Sequence, residues 1–281
     1  MTNRATAFAA PLTTALPDLI AWTSYFQMAP IPVLAQTSES IELLRSNIDK
    51  VDANRLGEMI SEDPLMTLKV LIVSAAQRSA RSTTEVETVI GALVMMGIPP
   101  FFAAFGLQQT IDECLANNPQ ALAGLRETLR RAHRSANFAL AVAVHRMDPD
   151  AAIIHAAALL HDFAEMLLWC HAPSLALTMS QAPRDDANKR SATAQRKFLN
   201  IELAELQQSL FKVWQLPARL TRISDASNAQ QPSARTVDLA VRLARHTAHG
   251  WTDPAICVDI AEMATLLNLS EAATLLLLED I

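Results

Sequence analysis

Apolar residues recur every three or four positions along most of the chain, which is the spacing of a helix face. After Asp63-Pro64, for example, leucine or isoleucine stands at positions 65, 68, 71 and 72. No segment keeps a sustained alternation of apolar and polar residues, and no Asn-Gly turn occurs. The pattern predicts an all-α protein without strands.

Start and stop signals set the limits of these helices. Asp52 is a predicted N-cap, and Asp63-Pro64 is a clearer start signal, because proline fits the first helical position. Thr84 and Glu87 have the spacing of a capping box, and Gly97 is predicted to end the helix that they open. The predicted helices cover residues 18–27, 33–45, 54–61, 64 onward, 85–96, 99–114, 121–147, 151–170, 192–215, 217–227, 233–249, 254–267 and 271–278.

The chain divides into four predicted segments: an N-terminal arm (1–29), a helical N-terminal part (30–118), a second helical part (119–250) and C-terminal helices (251–281). Apolar helix faces continue on both sides of the break at Asn117-Asn118-Pro119. We therefore expect the N-terminal part to pack against the second part without a long linker. The polar stretch from Ala182 to Arg190 is the predicted flexible connection.

The composition agrees with an all-α fold and argues against nucleic-acid and membrane partners. The chain of 281 residues has only six glycines, and its aromatic content is 5%. A net charge of −6 with scattered basic residues gives no surface for a phosphate backbone, so nucleic acid is not an expected partner. No stretch approaches the ~20 uninterrupted apolar residues of a membrane span, and residues 1–22 lack the pattern of a cleaved signal peptide. With three dispersed cysteines and no Cys-x-x-Cys, we expect a cytoplasmic protein with reduced thiols and no membrane partner.

His161-Asp162 lies inside the apolar stretch from Ile153 to Leu168 and is the most informative feature of the chain. Burying an ionisable pair is costly unless a ligand or hydrogen bonds compensate. Three interpretations are open: a buried polar tie to helix neighbours or to Arg134, a bound divalent metal, or contact with a small ligand. Glu165, one turn after His161, could join a metal site, but a solvated or salt-bridged role is the simpler interpretation.

The remaining histidines give no metal site by spacing alone. His246 and His249 share a helix face, and with Arg245 nearby they are predicted to form a surface patch near a helix end. No Gly-rich phosphate loop and no recognisable nucleophile motif occur.

Several motifs, in chain order, resemble the HDOD domain, the helical signalling relative of the HD metal-dependent phosphohydrolases. Residues 30–32 resemble the proline-rich turn of the family, and residues 60–64 resemble its Ile-x-x-Asp-Pro motif. Its Leu-Leu-His-Asp motif is similar to residues 159–162, and its Trp-x-Leu-Pro motif is similar to residues 214–217. Its segment of small and apolar residues before a glycine resembles residues 86–97. The resemblance extends from Pro30 to about Ala244 and implies a multi-helix HD-like bundle with a helical N-terminal subdomain packed against it.

The same resemblance implies a metal site that this chain does not complete. Catalytic relatives bind metal through an early His, the His-Asp pair, usually further His residues and a late Asp. Alignment on Ser135 and Ala139 puts Arg134 in the place of the early ligand. The geometry of an antiparallel hairpin keeps His133 possible. Phe163-Ala164-Glu165 replaces the lysine that follows the pair in many catalytic members. The later ligand positions hold apolar or small residues: Leu203, Ala226, Ser227 and Val241.

The resemblance therefore favours a non-catalytic bacterial signal-transduction or regulatory module that acts through protein contacts. The alternative is a metal-dependent phosphohydrolase of nucleotides or cyclic dinucleotides with an incomplete HD site. The degenerate site would comprise His161, Asp162, His133 and Arg134, with no catalytic residue and no metal, or with His161 and Asp162 as ligands if any metal binds. No cofactor is expected, and the predicted partner is an unidentified signalling protein or a second copy of the chain.

Overall fold

The structure, a computed structural model, describes residues 10–77, 86–181, 187–279 and 281. These residues form α-helices joined by short turns, with short 3₁₀ helices at Ile48–Lys50 and Ala226–Asn228. No β-strand forms among them, and Val33 and Thr110 make an isolated bridge. The predicted all-α fold class is confirmed.

The helices follow one another along the whole described chain. The first group is α1 (Leu19–Met28), α2 (Ala35–Arg45), α3 (Ala53–Ser61), α4 (Pro64–Gln77), α5 (Val89–Met96), α6 (Ile98–Ala104) and α7 (Ile111–Cys114). The middle group is α8 (Pro119–His145), α9 (Ala151–Leu159), α10 (Phe163–His171), α11 (Pro173–Ser180), α12 (Ala187–Leu199) and α13 (Leu203–Val213). The last group is α14 (Ala218–Ile223), α15 (Pro232–His246), α16 (Ala255–Leu267) and α17 (Glu271–Glu279).

Several helices begin and end where their sequence signals predict. The Asp52 carboxylate accepts a hydrogen bond from the backbone N–H of Arg55 at 2.9 Å and caps α3. The buried Asp63 carboxylate accepts from the N–H of Leu65 at 2.9 Å at the start of α4. Gly97 ends α5 with a φ of +83°, a conformation that glycine adopts without strain. Local chemistry therefore sets these limits.

Two predictions in the N-terminal part are wrong in detail. The side chain of Thr88 accepts from the N–H of Gly91 at 3.1 Å, so α5 begins later than the predicted start at residue 85. The predicted capping residue Thr84 lies outside the described residues. The predicted helix over 99–114 is instead α6 and α7, because Thr110 caps a new helix start and interrupts the chain between them.

The predicted helix over 192–215 is also two helices, α12 and α13. Asn200, which lies between them, has a φ of +64°, in the left-handed region that ends many helices. The sequence did not indicate α11, which starts with Pro173 in its first turn. Of the predicted flexible connection over 182–190, residues 182–186 lie outside the described residues and the others begin α12.

The helices group into two compact units. The first comprises residues 1–128 and 163–216, and the second comprises residues 129–162 and 217–281. The chain crosses from one to the other within α8, before α10 and after α13. The predicted division into four segments, with its packing of the N-terminal part on the second part, stays a prediction.

The core of each unit consists of apolar helix faces. In the first unit α3 packs against α4 and α5. Gly57 permits the approach of α5, because a Cβ at that position would lie 2.5 Å from Cγ1 of Ile90. In the second unit α9 packs against α14 and α15, and α16 packs against α15 and α17. Ile154 and Ala158 of α9 are fully buried, so this helix is the core element of the second unit.

One described stretch, Ala151–His171, is long and apolar enough to cross a membrane by length and composition alone. Within its most apolar window, however, 67% of the residues are buried inside the protein. Core helices of globular proteins pass the same test, and the burial of this stretch is typical of them.

Candidate functional site

His161 and Asp162 lie in the turn between α9 and α10. α9 ends at Leu159, and the backbone N–H of His161 donates to the carbonyl of Ala158 at 3.3 Å. This shorter-range bond tightens the end of the helix and lets the chain turn. The predicted continuous helix over 151–170 is therefore wrong, because apolar residues on both sides of the turn conceal the break.

The Asp162 carboxylate has a partner on each oxygen. Nε of Arg131 donates to Oδ2 at 2.8 Å, and Nδ1 of His161 lies 2.8 Å from Oδ1. The Asp162 side chain is 13% exposed. Burial alone would raise the pKa of Asp162, but the Arg131 guanidinium and the hydrogen bond with His161 outweigh burial and hold the pKa well below its usual range. Asp162 is an ionised, paired carboxylate.

The register of α8 against the turn explains why Arg131 is the partner. Oγ of Ser135 donates to the backbone carbonyl of Ala158 at 3.1 Å. Arg131 lies one turn before Ser135, and Asp162 lies one turn's length after Ala158. Because the two segments run in opposite directions, the Arg131 and Asp162 pair is the next contact along the same interface.

The two predicted candidates on α8 lie on other sides of the helix. Arg134 is about 100 degrees and His133 about 200 degrees around α8 from Ser135, whereas Arg131 is only about 40 degrees away. The exposed Arg134 donates instead to the backbone carbonyl of Thr247. His133 is half-buried on α8. The interpretation that Arg134 ties the carboxylate is thus corrected to Arg131.

The positions that would carry the later metal ligands hold no ligating group except a hydroxyl. Val241 is buried in α15, and Leu203 is buried at the start of α13. Ala226 and Ser227 lie in a 3₁₀ helix, where the Ser227 N–H donates to the side chain of Asp225 at 2.9 Å. Across residues 10–77, 86–181, 187–279 and 281, no three His, Cys, Asp or Glu side chains are close enough to hold a metal ion.

Glu165, which could have joined a metal site, instead binds one residue of its own helix α10 and one residue of α8 in the first unit. Its Oε1 accepts from Oγ1 of Thr128 at 3.0 Å and from Nε1 of Trp169 at 3.4 Å. The Trp169 ring covers Gly124, where a Cβ would lie 2.4 Å from the ring. Glu165 therefore helps to hold α8 and α10 together and is not merely solvated.

A second His-Asp pair, which the sequence did not indicate, joins α15 to α16 in the second unit. Nδ1 of His246 lies 2.5 Å from Oδ2 of Asp259, and Nη2 of Arg242 donates to Oδ1 at 2.6 Å. The Asp259 side chain is 1% exposed and that of His246 is 19% exposed. The predicted surface patch of His246 and His249 is wrong for His246. Arg242 and His246 stand one turn apart on α15, but their partner lies on the next helix, which spacing does not reveal.

The Arg242 guanidinium also binds a second carboxylate on α16, that of Glu262. Its Nη1 lies 3.2 Å from Oε2 of Glu262, to which Arg235 also donates. The hydrogen bond with Arg242 lowers the pKa of Glu262. Although burial would lower the pKa of Arg242, the bonds to Glu262 and Asp259 raise it overall. Both shifts favour the charged forms of Arg242 and Glu262.

Comparison with known proteins gives a family and a fold. A sequence model described as the HDOD domain matches residues 31–230. A crystal structure of the MmoQ response regulator from Methylococcus capsulatus str. Bath is similar with a TM-score of 0.63 and 21% identity, covering 89% of this chain and 98% of that chain. A virulence factor from Campylobacter jejuni subsp. jejuni is similar with a TM-score of 0.58 and 16% identity, covering 93% and 97% of the two chains. At these identities the likeness shows the fold alone. No curated protein sequence matches the chain.

Proposed function

The chain belongs to the HDOD family, and we propose that it is a non-catalytic regulatory module of bacterial signal transduction that acts through protein contacts. The family's signalling role and the fold shared with a response regulator support a regulatory function. We also propose that it works in the cytoplasm, with a signalling protein or a second copy of itself as partner.

The observation that carries the non-catalytic part of this proposal is the ion pair between Arg131 and Asp162. A metal-dependent phosphohydrolase needs carboxylate oxygens that bind a cation and an open position for activated water. Here Arg131 and His161 each occupy one Asp162 oxygen. The guanidinium supplies the positive charge that a metal would bring. Because it lies 2.8 Å from the Asp162 carboxylate, it would also repel a metal ion bound to that carboxylate.

The same contacts give His161-Asp162 a structural role. Arg131 and Ser135 lie one turn apart on α8, and their partners are Asp162 and the carbonyl of Ala158. Together these bonds fix the register of α8 against the end of α9. We propose that the role of the motif here is structural: its hydrogen bonds hold together the helices on which partner recognition depends.

The test measures metal content and hydrolysis in the purified full chain. After incubation with Mn²⁺ or Zn²⁺ and desalting, we expect elemental analysis to find well below one metal per chain. We expect no hydrolysis of a chromogenic phosphodiester or of a cyclic dinucleotide above the buffer rate. Arg131→Met, which keeps an unbranched apolar stem but removes the guanidinium and its charge, is the informative variant, because it frees one Asp162 oxygen. Arg134→Met is its matched control on the same helix.

The contrary result is equally specific. Stoichiometric metal in the unmodified chain, removed by a chelator together with hydrolysis and lost in His161→Ala, would overturn the proposal. It would establish the alternative, a metal-dependent phosphohydrolase of nucleotides or cyclic dinucleotides. Metal uptake that increases in Arg131→Met but not in Arg134→Met would support the view that the guanidinium takes the place of the metal.

A further inference from the structure

Two of the three cysteines come together in the first unit. Cys114 ends α7, and Cys170 is next to the last residue of α10. Sγ of Cys114 donates to the backbone carbonyl of Cys170 at 3.4 Å, across a sequence separation of 56 residues. The two thiols are also close enough to interact, and each shifts the pKa of the other. The third cysteine, Cys257, is exposed on α16 in the second unit.

The two thiols differ in access and in acidity. Cys114 is half-buried, whereas Cys170 is buried. The hydrogen bond from Cys170 lowers the pKa of Cys114, although burial opposes this. The same bond, together with burial, raises the pKa of Cys170. Cys114 is thus the thiol that a small reagent reaches and that ionises first, and Cys170 holds a proton beside it.

Tyr25 and His171 lie close to this pair. The Tyr25 hydroxyl lies 3.3 Å from Nδ1 of His171, the residue after Cys170, and the Tyr25 ring packs edge to face on His171. Burial and the nearby Cys114 raise the pKa of Tyr25. Burial lowers the pKa of His171 to about 4. Both shifts keep Tyr25 and His171 uncharged near neutral pH.

We propose that Cys114 and Cys170 are a redox modification site that hydrogen peroxide converts into a reversible disulfide joining α7 to α10. The site is independent of the His161-Asp162 turn and of the proposed regulatory function. An accessible thiol with a lowered pKa beside a protonated second thiol is the arrangement of an attacking and a resolving cysteine.

The reaction proceeds in two balanced steps. The Cys114 thiolate attacks one peroxide oxygen, the O–O bond breaks, and the departing hydroxide takes a proton to form water. Cys114 is then a sulfenic acid. The Cys170 sulfur attacks the sulfenic sulfur, the S–S bond forms, the S–O bond breaks, and a second water leaves with the Cys170 proton. The two sulfurs together lose two electrons, and peroxide is reduced to water.

The experiment uses the full chain carrying Cys257→Ser, which removes the exposed thiol. The reduced protein is freed of reductant, exposed to hydrogen peroxide, alkylated and digested without reduction for mass spectrometry. We expect the loss of both remaining thiols and a linked peptide pair containing Cys114 and Cys170, lighter than the reduced pair by two hydrogens. Dithiothreitol should restore both thiols.

Single variants in the same background identify the order of the two cysteines. In Cys170→Ser, we expect dimedone to trap a sulfenic acid on Cys114. In Cys114→Ser, Cys170 should keep its thiol at the same peroxide dose. Because the linked peptide is measured in a chain that retains both cysteines, the test does not depend on how well either variant folds.

Three outcomes would overturn the proposal. The first is that both thiols stay free at a peroxide dose that oxidises Cys257 in the unmodified chain. The second is that Cys114 forms disulfides only between chains. The third is that Cys170 oxidises equally fast with and without Cys114.

Discussion

The second unit contains two clusters of the same side-chain types, but the His and Asp residues are adjacent in the sequence in one cluster and 13 residues apart in the other. One joins Arg131 to the adjacent residues His161-Asp162, and the other joins Arg242 and His246 to Asp259 on another helix. In each cluster a guanidinium and an imidazole bind opposite oxygens of one carboxylate. The conspicuous cluster is the less buried, since Asp162 is 13% exposed and Asp259 is 1% exposed. The adjacency of His and Asp in the sequence therefore does not determine how buried the carboxylate is or which cation it pairs with.

The two clusters also connect different elements. The first fixes α8 against the turn after α9, and the second fixes α15 against α16. Removing one member of a buried ion pair leaves its partner without a counter-charge, and the cost rises with burial. We therefore expect the inconspicuous cluster to contribute more to stability than the motif.

The largest expected effect is that of Asp259→Ala. This change removes the shared partner of Arg242 and His246, and we expect it to lower the free energy of unfolding by about 3 to 5 kcal/mol. The control is Asp238→Ala, because the carboxylate of Asp238 is partly exposed and lies 3.9 Å from the same arginine. It should cost less than about 1 kcal/mol. Urea unfolding followed by circular dichroism measures both, and equal losses would contradict the role of burial.

Acid titration separates Asp162 from a buried histidine of the first unit, His171. Its pKa is lowered to about 4, and Nε2 lies 2.9 Å from the carbonyl of Pro30. The unfolded chain therefore binds this proton more readily than the folded one. The stabilising contribution is complete above pH 6.5 and is lost as the pH falls towards 4, by about 3 kcal/mol in total.

His171→Gln should remove most of this acid dependence, which urea midpoints measured between pH 7 and 4 would show. Asp162→Ala is the control. The pKa of Asp162 lies well below its usual range, so the contribution of this carboxylate persists through that window and is lost only at lower pH. An equal flattening of the profile in Asp162→Ala would contradict this assignment.

Local signals in the sequence predicted much of the fold. Asp52 and Asp63 begin their helices and Gly97 ends one, because each acts through its own backbone neighbours. The turn at His161-Asp162 was hidden, because apolar residues continue on both sides of it. Sequence periodicity indicates which face is buried, but it does not show where a buried chain turns.

The partners within the site were harder to predict than the motif itself. Choosing between Arg131 and Arg134 requires the register of α8 against the turn, because these two side chains are three residues apart and lie only about 60 degrees apart around the helix. Asp259 is separated from its histidine by 13 residues and a helix boundary. No local pattern links them, so only the packing of α15 on α16 reveals the second cluster.

Asp162→Ala tests the motif itself. Arg131 would lose its carboxylate partner, and we expect the free energy of unfolding to fall by about 1 to 3 kcal/mol. Measured beside Asp259→Ala in the same denaturant series, it should be the milder of the two changes. An unchanged melting temperature combined with a lost hydrolytic activity would instead assign Asp162 to catalysis.

The smallest expected effect distinguishes the two arginines of α8. Arg134→Ala removes a hydrogen bond from an exposed side chain to the Thr247 carbonyl, so we expect a loss of about 0.5 to 1 kcal/mol. Arg131→Ala removes the partner of a largely buried carboxylate and should cost about 1 to 3 kcal/mol. Double-mutant cycles that combine Asp162→Ala with each arginine change measure the coupling energy and decide between the two, because residues in direct contact are coupled. Coupling with Arg131 but not with Arg134 is the expected result. The reverse would mean that the register of α8 differs by three residues, close to one helical turn, and that Arg134, as the sequence alignment suggested, is the partner of the motif.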